Sequence, residues 1–199
     1  LDKAALKAAL ERIIERHEVL RTTFIQKEGI PVQVVAPPEI GFTLLEHDLA
    51  KRFPTNELED EVERLVEEEA TAPFDLTKGP LIRGRLIRLS EKKHVLLVTM
   101  HHIISDGWSV GILKSELSNL YRAYSKGESN PLPELPIQYA DYAIWQRSQL
   151  EGEVLQKQLA FWTKHLTGAP TLLELPSDHP RPPLQDYAGA AINITLDAK

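Results

Sequence analysis

The stretch His94 to Met100 limits the fold more than any other. Val95-Leu96-Leu97-Val98 is a continuous apolar run, too short for a helix of its own, so it reads as a central strand buried on both faces. A strand covered on both faces needs apolar layers either side of its sheet, which implies a mixed α/β layer fold. Directly after it come Met100-His101-His102-Ile103-Ile104-Ser105-Asp106-Gly107-Trp108-Ser109. A buried strand that ends in two histidines, an acid and a glycine is an unusual use of polar residues, since unpaired charges are rarely buried. An imidazole delivered by a rigid strand to the edge of a cavity suits general-base chemistry, because its pKa lies near working pH. His102 is therefore the candidate catalytic residue, set against the plain reading of a structural histidine at a strand end.

The neighbours of His102 have competing readings. Asp106 either orients His102 or forms a structural ion pair, and the second is preferred because Arg21 and Arg16 make up the other polar cluster of an apolar neighbourhood. Gly107 lets the backbone turn tightly and approach a ligand closely. Ser109 follows a histidine as a nucleophile could, but no Gly-x-Ser-x-Gly elbow surrounds it, and it serves equally as the N-cap of a helix from Val110 to Tyr124. A metal site is disfavoured, because adjacent residues on a strand point to opposite sides and His101 and His102 could not face one ion.

The rest of the chain supplies layers around that strand. Leu1 to His17 has Leu6, Leu10, Ile13 and Ile14 on one helical face. Thr22 to Gln26 and Val32 to Val35 read as a hairpin around Gly29-Ile30-Pro31, and Phe42 to His47 as a further strand. Thr55 or Asn56 can cap a helix to about Ala70, with Glu59 completing a capping box. Leu81 to Leu89 precedes the central strand as its hairpin partner. Tyr139 to Gln149 and Val154 to Leu166 are two more helices, and the spacing of Tyr139, Tyr142 and Trp145 reads as packing. Residues 170–188 form a proline-rich linker, and Gly189 to Leu196 alternates as a strand does. The helix starts close to residue 1 and the last strand finds no partner, so the sequence reads as part of a longer chain.

Composition closes off several classes. With no cysteine in 199 residues there is no thiol catalysis and no cysteine-ligated metal, and a cytoplasmic setting is expected. A net charge of −6 without a basic, aromatic-laced patch argues against nucleic acid. No apolar run of about 18 residues predicts a membrane span.

The residues Met100 to Ser109 resemble the HHxxxDG motif of condensation domains from nonribosomal peptide synthetases. Arg16 to Phe24 resembles that family's RHExLRTxF motif, Tyr139 to Trp145 its YxDFAVW motif (Tyr142 for Phe, Ile144 for Val), and Leu175 to Pro182 its LPxDxPRP run. The resemblance implies a chloramphenicol-acetyltransferase-like half-domain, a mixed β-sheet flanked by helices, with residues 1–169 as the N-terminal subdomain and 189–199 as the first strand of a truncated C-terminal one. It implies peptide-bond formation between a donor thioester and an acceptor aminoacyl thioester. His102 would act as base or positioning group, with His101, Asp106, Gly107, Trp108 and Ser109 in support. The implied partners are donor and acceptor carrier proteins, an adjacent adenylation domain and the missing C-terminal subdomain. Phosphopantetheine belongs to the carriers, so the domain would hold no cofactor and no metal. Ile104 to Ser109 resembles the type that joins two L-residues, and a fragment with one wall of the reaction tunnel is expected to be inactive. A non-catalytic recruiting domain and a related O-acyltransferase are the alternatives.

Overall fold

The computed structural model describes residues 1–173, 175–180 and 182–184. They fall into two units, Leu1–Leu150 and Glu151–Lys199. The strand expected at Gly189 to Leu196 lies outside the described residues, as does the linker from residue 185.

In the first unit, α1 (Lys3–Arg16) begins where the Asp2 side chain accepts the Ala5 N–H at 2.9 Å. Its apolar face, Leu6, Leu10, Ile13 and Ile14, is buried as the spacing predicts. A short 3-10 turn leads into β1 (Thr22–Lys27), which pairs antiparallel with β2 (Ile30–Val35), Lys27 opposite Ile30. The turn is Glu28-Gly29, both left-handed (φ 54° and 79°), the geometry that matches strand twist. The sequence placed it one residue later. Pro31 lies inside β2 instead, tolerable in a two-stranded ribbon where each strand has a free edge.

The second sheet holds β3 (Leu44–Asp48), β4 (Ile82–Arg88) and β5 (His94–Met100) in the order β3-β4-β5. β3 runs parallel to β4 and β5 antiparallel to it, so the sheet is mixed. β5 is therefore not the central strand expected; β4 is. The apolar run reports covered faces rather than paired edges. Val95 and Leu97 pack on one side against Leu49, Leu65 and Ile87, while Leu96, Val98 and Met100 join the larger core of α1 on the other. β4 hides its central place behind Arg83, Arg85 and Arg88. It also carries Gly84, where a Cβ would stand 2.8 Å from the Phe42 ring and 2.9 Å from the Leu97 carbonyl.

Between β3 and β4 runs α2 (Leu58–Thr71). The expected capping box is absent: Thr55–Glu57 forms a 3-10 turn, and the helix follows without a side-chain cap. α3 (Gly107–Tyr124) and α4 (Tyr139–Gln149) complete the unit. The second unit contains α5 (Gly152–Leu166), where the Phe161 and His165 rings stack 5.7 Å apart and Trp162 meets both edge-on. The described residues after α5 contain neither helix nor strand.

Candidate active site

β5 ends at Met100, and the His101 N–H, donating to the Leu81 carbonyl at 2.9 Å, is the last tie to β4. Both histidines thus lie in a turn beyond the strand, not on it. Ile104, buried in the large core, pins the turn, and its N–H donates to the His101 carbonyl at 3.1 Å. His101 holds the turn from within: its Nδ1 accepts the Ile103 N–H at 3.0 Å, its carbonyl accepts the Ser105 hydroxyl at 3.2 Å, and its ring stands edge-on to Phe74. His102 is exposed, with Nδ1 2.6 Å from the Ser105 carbonyl oxygen. A carbonyl only accepts, so this contact puts a proton on Nδ1 and, in the neutral ring, leaves the Nε2 lone pair free.

Asp106 does not make the expected ion pair with Arg21 or Arg16. Its Oδ1 accepts the Ser109 N–H at 2.8 Å, while Ser109 Oγ accepts the Asp106 N–H at 2.8 Å, a reciprocal cap on α3. Donors three residues away in a helix start are delivered by the backbone itself, which a distant side chain must beat at an entropic cost. The Ser109 hydrogen bonds, with Trp108 N–H and the nearby His102, hold the Asp106 carboxyl below its ordinary value. α3 consequently starts at Gly107, not Val110, and Asp106 rather than Ser109 is its cap. The Ser109 hydroxyl also donates to the Asp106 carbonyl at 2.9 Å, which occupies it.

Gly107 is the first helical residue and needs no left-handed conformation, so the tight-turn reason for a glycine does not hold. A Cβ there would meet nothing within 4 Å. Open space over that backbone leaves the other reason, close approach of a ligand. As the first residue of α3, Gly107 also has an N–H without an intrahelical acceptor. The Trp108 side chain is 83% exposed.

The arginines meet other partners. Arg21 donates to the Ala36 carbonyl and pairs with Glu18 at 3.4 Å. Arg16 pairs with Glu116 of α3 at 3.1 Å and donates to the Pro133 carbonyl; His17 Nε2 lies 2.6 Å from the other Glu116 oxygen. Gln138 ties the start of α4 to the end of α1: its side chain accepts the Glu18 N–H at 3.1 Å and donates to the Arg16 carbonyl at 3.0 Å. Sequence reading missed Glu116, His17 and Gln138. The available signal was Glu116, an acid inside the apolar stripe Leu113, Leu117 and Leu120.

Of these residues, His17 and Gln138 line a cavity of about 320 Å³ behind the motif turn. Met100, Ser105 and Ser109 line it on the motif side, and Leu113, Ile137 and Tyr142 elsewhere. The α4 aromatics pack on each other, Tyr139–Tyr142 at 5.8 Å and Tyr142–Trp145 at 5.7 Å, yet remain substantially exposed. Among the described residues no group of three His, Asp or Glu side chains could hold a metal ion, and no helix is long and apolar enough to cross a membrane.

The profile of the family described as "Condensation domain" matches residues 1–199. One protein of the linear gramicidin synthase of Brevibacillus parabrevis is 49% identical over 199 residues, 100% of this chain and 4% of that protein. A second protein of the same synthase is 52% identical over 196 residues, 98% of this chain and 2% of that protein. Among solved structures, the X-domain from teicoplanin biosynthesis superimposes with a TM-score of 0.75 at 34% identity, over 92% of this chain and 39% of that one. The epimerization domain from the third module of tyrocidine synthetase B gives 0.77 at 25% identity, over 89% and 40%. The chain spans a few per cent of the synthases and about two fifths of the solved domains.

Proposed function

The chain belongs to the condensation-domain family of nonribosomal peptide synthetases and has its chloramphenicol-acetyltransferase-like α/β fold, and on that premise we propose that it is the histidine-bearing half of a domain that forms peptide bonds in the cytoplasm. Residues 1–169 are the N-terminal subdomain, 170–188 the linker and 189–199 the entry into the C-terminal subdomain, whose absence leaves this chain alone inactive. The substrates arrive as thioesters on phosphopantetheine arms of donor and acceptor carrier proteins, beside an adenylation domain, and the domain holds no cofactor itself. The sequence Ile104 to Ser109 supports the type that joins L-residues.

In this reading the acceptor amine, as its neutral form, attacks the donor thioester carbonyl. A C–N bond forms, the C–S bond breaks, and the amine proton passes to His102 Nε2 and on to the departing thiolate. The observation that carries it is the Ser105 carbonyl on His102 Nδ1, which orients the ring and leaves Nε2 as the acceptor. The open backbone at Gly107, at the positive end of α3, suits the negative charge that develops on the carbonyl oxygen. Asp106 and His101 keep the turn in shape.

A second reading, a recruiting domain that makes no bond, has support from the likeness to an X-domain solved in complex with OxyB, at 36% identity and a TM-score of 0.74. One experiment separates the two. The complete domain, its His102→Ala variant and the present chain are each given loaded donor and acceptor carriers, and product is read by intact mass. Condensation predicts product from the complete domain, a loss of at least about 10²-fold in His102→Ala, and none from this chain. Carrier binding without product across several substrate pairs would establish the recruiting reading instead.

A further inference from the structure

We propose that Phe74, outside the motif, is a positioning residue for His102: its ring holds the His101 ring, and His101 shapes the turn that aims His102. The inference rests on the condensation reading and adds a residue to it. Phe74 is half-buried against the large core, in the stretch that leads into β4. Its ring stands at right angles to that of His101, with the centroids 6.0 Å apart. The guanidinium carbon of Arg83 lies over the other ring neighbour's place, 3.9 Å from the Phe74 centroid. A cation over the face and a second ring set at right angles are both neighbours that an aromatic quadrupole favours.

The stretch around Phe74 is fixed on both sides. Arg83 donates to the Ala72 and Pro73 carbonyls at 2.6 and 3.1 Å, and the Leu76 carbonyl accepts the Phe24 N–H at 2.8 Å. Glu69 is one step further back, since without it Arg83 keeps both carbonyls and its place over the ring. The same stretch ends at Leu81, whose carbonyl accepts the His101 N–H at 2.9 Å. His101 is thus gripped twice, at its backbone by Leu81 and at its ring by Phe74. From there the path to His102 is short. His101 Nδ1 accepts the Ile103 N–H, its carbonyl accepts the Ser105 hydroxyl, and the Ser105 carbonyl holds His102 Nδ1. A His101 ring free to rotate gives up the Ile103 N–H and loosens the turn, and a misplacement of about 1 Å can cost about 10²-fold in rate.

The test uses the complete domain with loaded donor and acceptor carriers. Phe74→Leu keeps an apolar side chain and removes the ring, whereas Phe74→Tyr keeps the ring. Leu44→Ala, on β3 and packed against the same core, reports the cost of lost packing alone. Phe74→Leu should lower kcat about 10-fold per folded molecule with both KM values unchanged, and Phe74→Tyr should restore it. Leu44→Ala should lose stability and keep kcat. On a His102→Ala background Phe74→Leu should add no further loss, because His102 carries its effect. NMR spectra of the domain with isotope-labelled histidine need no turnover: the Nδ1–H tautomer of His102 should give way to a mixture in Phe74→Leu. An equal kcat loss in Leu44→Ala, an equal loss on the His102→Ala background, or an unmoved His102 tautomer overturns the role of Phe74 and leaves condensation intact. A wild-type domain that makes no product overturns the condensation reading, and with it a catalytic purpose for the contact, whatever the spectra show.

Discussion

Two buried glutamates, Glu69 and Glu116, are each held by a pair of basic side chains, and they are put to different use. Glu69, 3% exposed near the end of α2, faces Arg83 and Arg85, neighbours on the same face of β4. Arg83 goes on to the carbonyls of Ala72 and Pro73 at 2.6 and 3.1 Å, closing the end of α2 onto the sheet. The hydrogen bonds of this cluster tie α2 and the residues just past it to β4, and its link to the motif is packing only: Arg83 lies 3.9 Å over the Phe74 ring, whose neighbour edge-on is His101. Glu116 instead faces Arg16 and His17 at the end of α1, and that chain of contacts continues through Pro133 and Gln138 to the wall of the cavity. Its helix is also the one whose first turn carries Asp106 and Gly107. A buried acid on a helix is a strong clamp in both places, and the partners' positions decide whether the clamp also aligns a site.

The largest expected effect comes from breaking each clamp. Glu69→Ala takes the acid from Arg83 and leaves the buried Arg85 with the exposed Glu68 alone, at 2.9 Å, and should cost up to about 3–5 kcal/mol in urea denaturation. In the complete domain the molecules that remain folded should condense at close to the normal rate, because the cluster meets His101 through the packing of Phe74 and not through a hydrogen bond. Glu116→Ala should cost a similar amount and, unlike Glu69→Ala, slow condensation per folded molecule. Equal kinetic behaviour of the two variants would dissolve the distinction between them.

Protonation probes the first clamp without a cavity. Burial pushes the Glu69 carboxyl up, but hydrogen bonds from Arg83 and Arg85 and their charges outweigh it, and the net shift is downward. A folded-state value below the unfolded one, about 4.3, means that the unfolded chain binds more protons in acid. The stabilisation from Glu69 is then fully present above about pH 4.3 and is lost as the pH falls through the lowered folded value. Wild type should lose stability more steeply than Glu69→Gln over that acid range, measured as denaturation midpoints against pH. Parallel curves would mean that Glu69 is not the titrating anchor.

How much of this was legible in the sequence depends on how local the information is. The α1 stripe and the ends of α4 were readable, because helical periodicity is carried by near neighbours. The His102 turn was readable as a candidate site, since polar residues at the end of an apolar strand need a reason. The edge position of β5 was not, because alternation and hydrophobicity report covered faces and say nothing of which edge is paired. Nor was the partner of Asp106: several charges could satisfy it on paper, and only the backbone path showed that Ser109 N–H is nearer than any arginine. Glu116 and Gln138 were lost for the same reason, their partners being about a hundred residues away in the chain.

A smaller effect separates shape from charge at the motif. Asp106→Ala removes one half of the reciprocal cap and should cost about 0.5–2 kcal/mol, whereas Asp106→Asn caps nearly as well and should recover most of it. If Asp106 serves the site through the shape of the turn, condensation by the Asn variant of the complete domain follows stability back towards wild type. A recovered stability with condensation still lost would instead make the Asp106 charge itself part of the site.

The smallest stability change is expected where the functional one need not be small, at Gly107. Gly84 on the sheet has no room for a Cβ, which would press on Phe42, while a Cβ at Gly107 meets nothing within 4 Å. Gly107 also has no left-handed backbone to protect, so Gly107→Ala exchanges a poor helix former for the best one. The chain should be unchanged or more stable by up to about 1 kcal/mol, less than a mid-helix site would gain, since Gly107 is in the first turn. In the complete domain, the added methyl occupies the space through which a thioester carbonyl would approach the Gly107 N–H. Condensation should fall at least about 10-fold, mostly in kcat, as losing a contact made in the transition state requires. Stability up with turnover down would show that this glycine is kept for what approaches it. A variant that keeps full turnover would move the oxyanion contact away from the start of α3 and leave His102 as the only motif residue with a chemical duty.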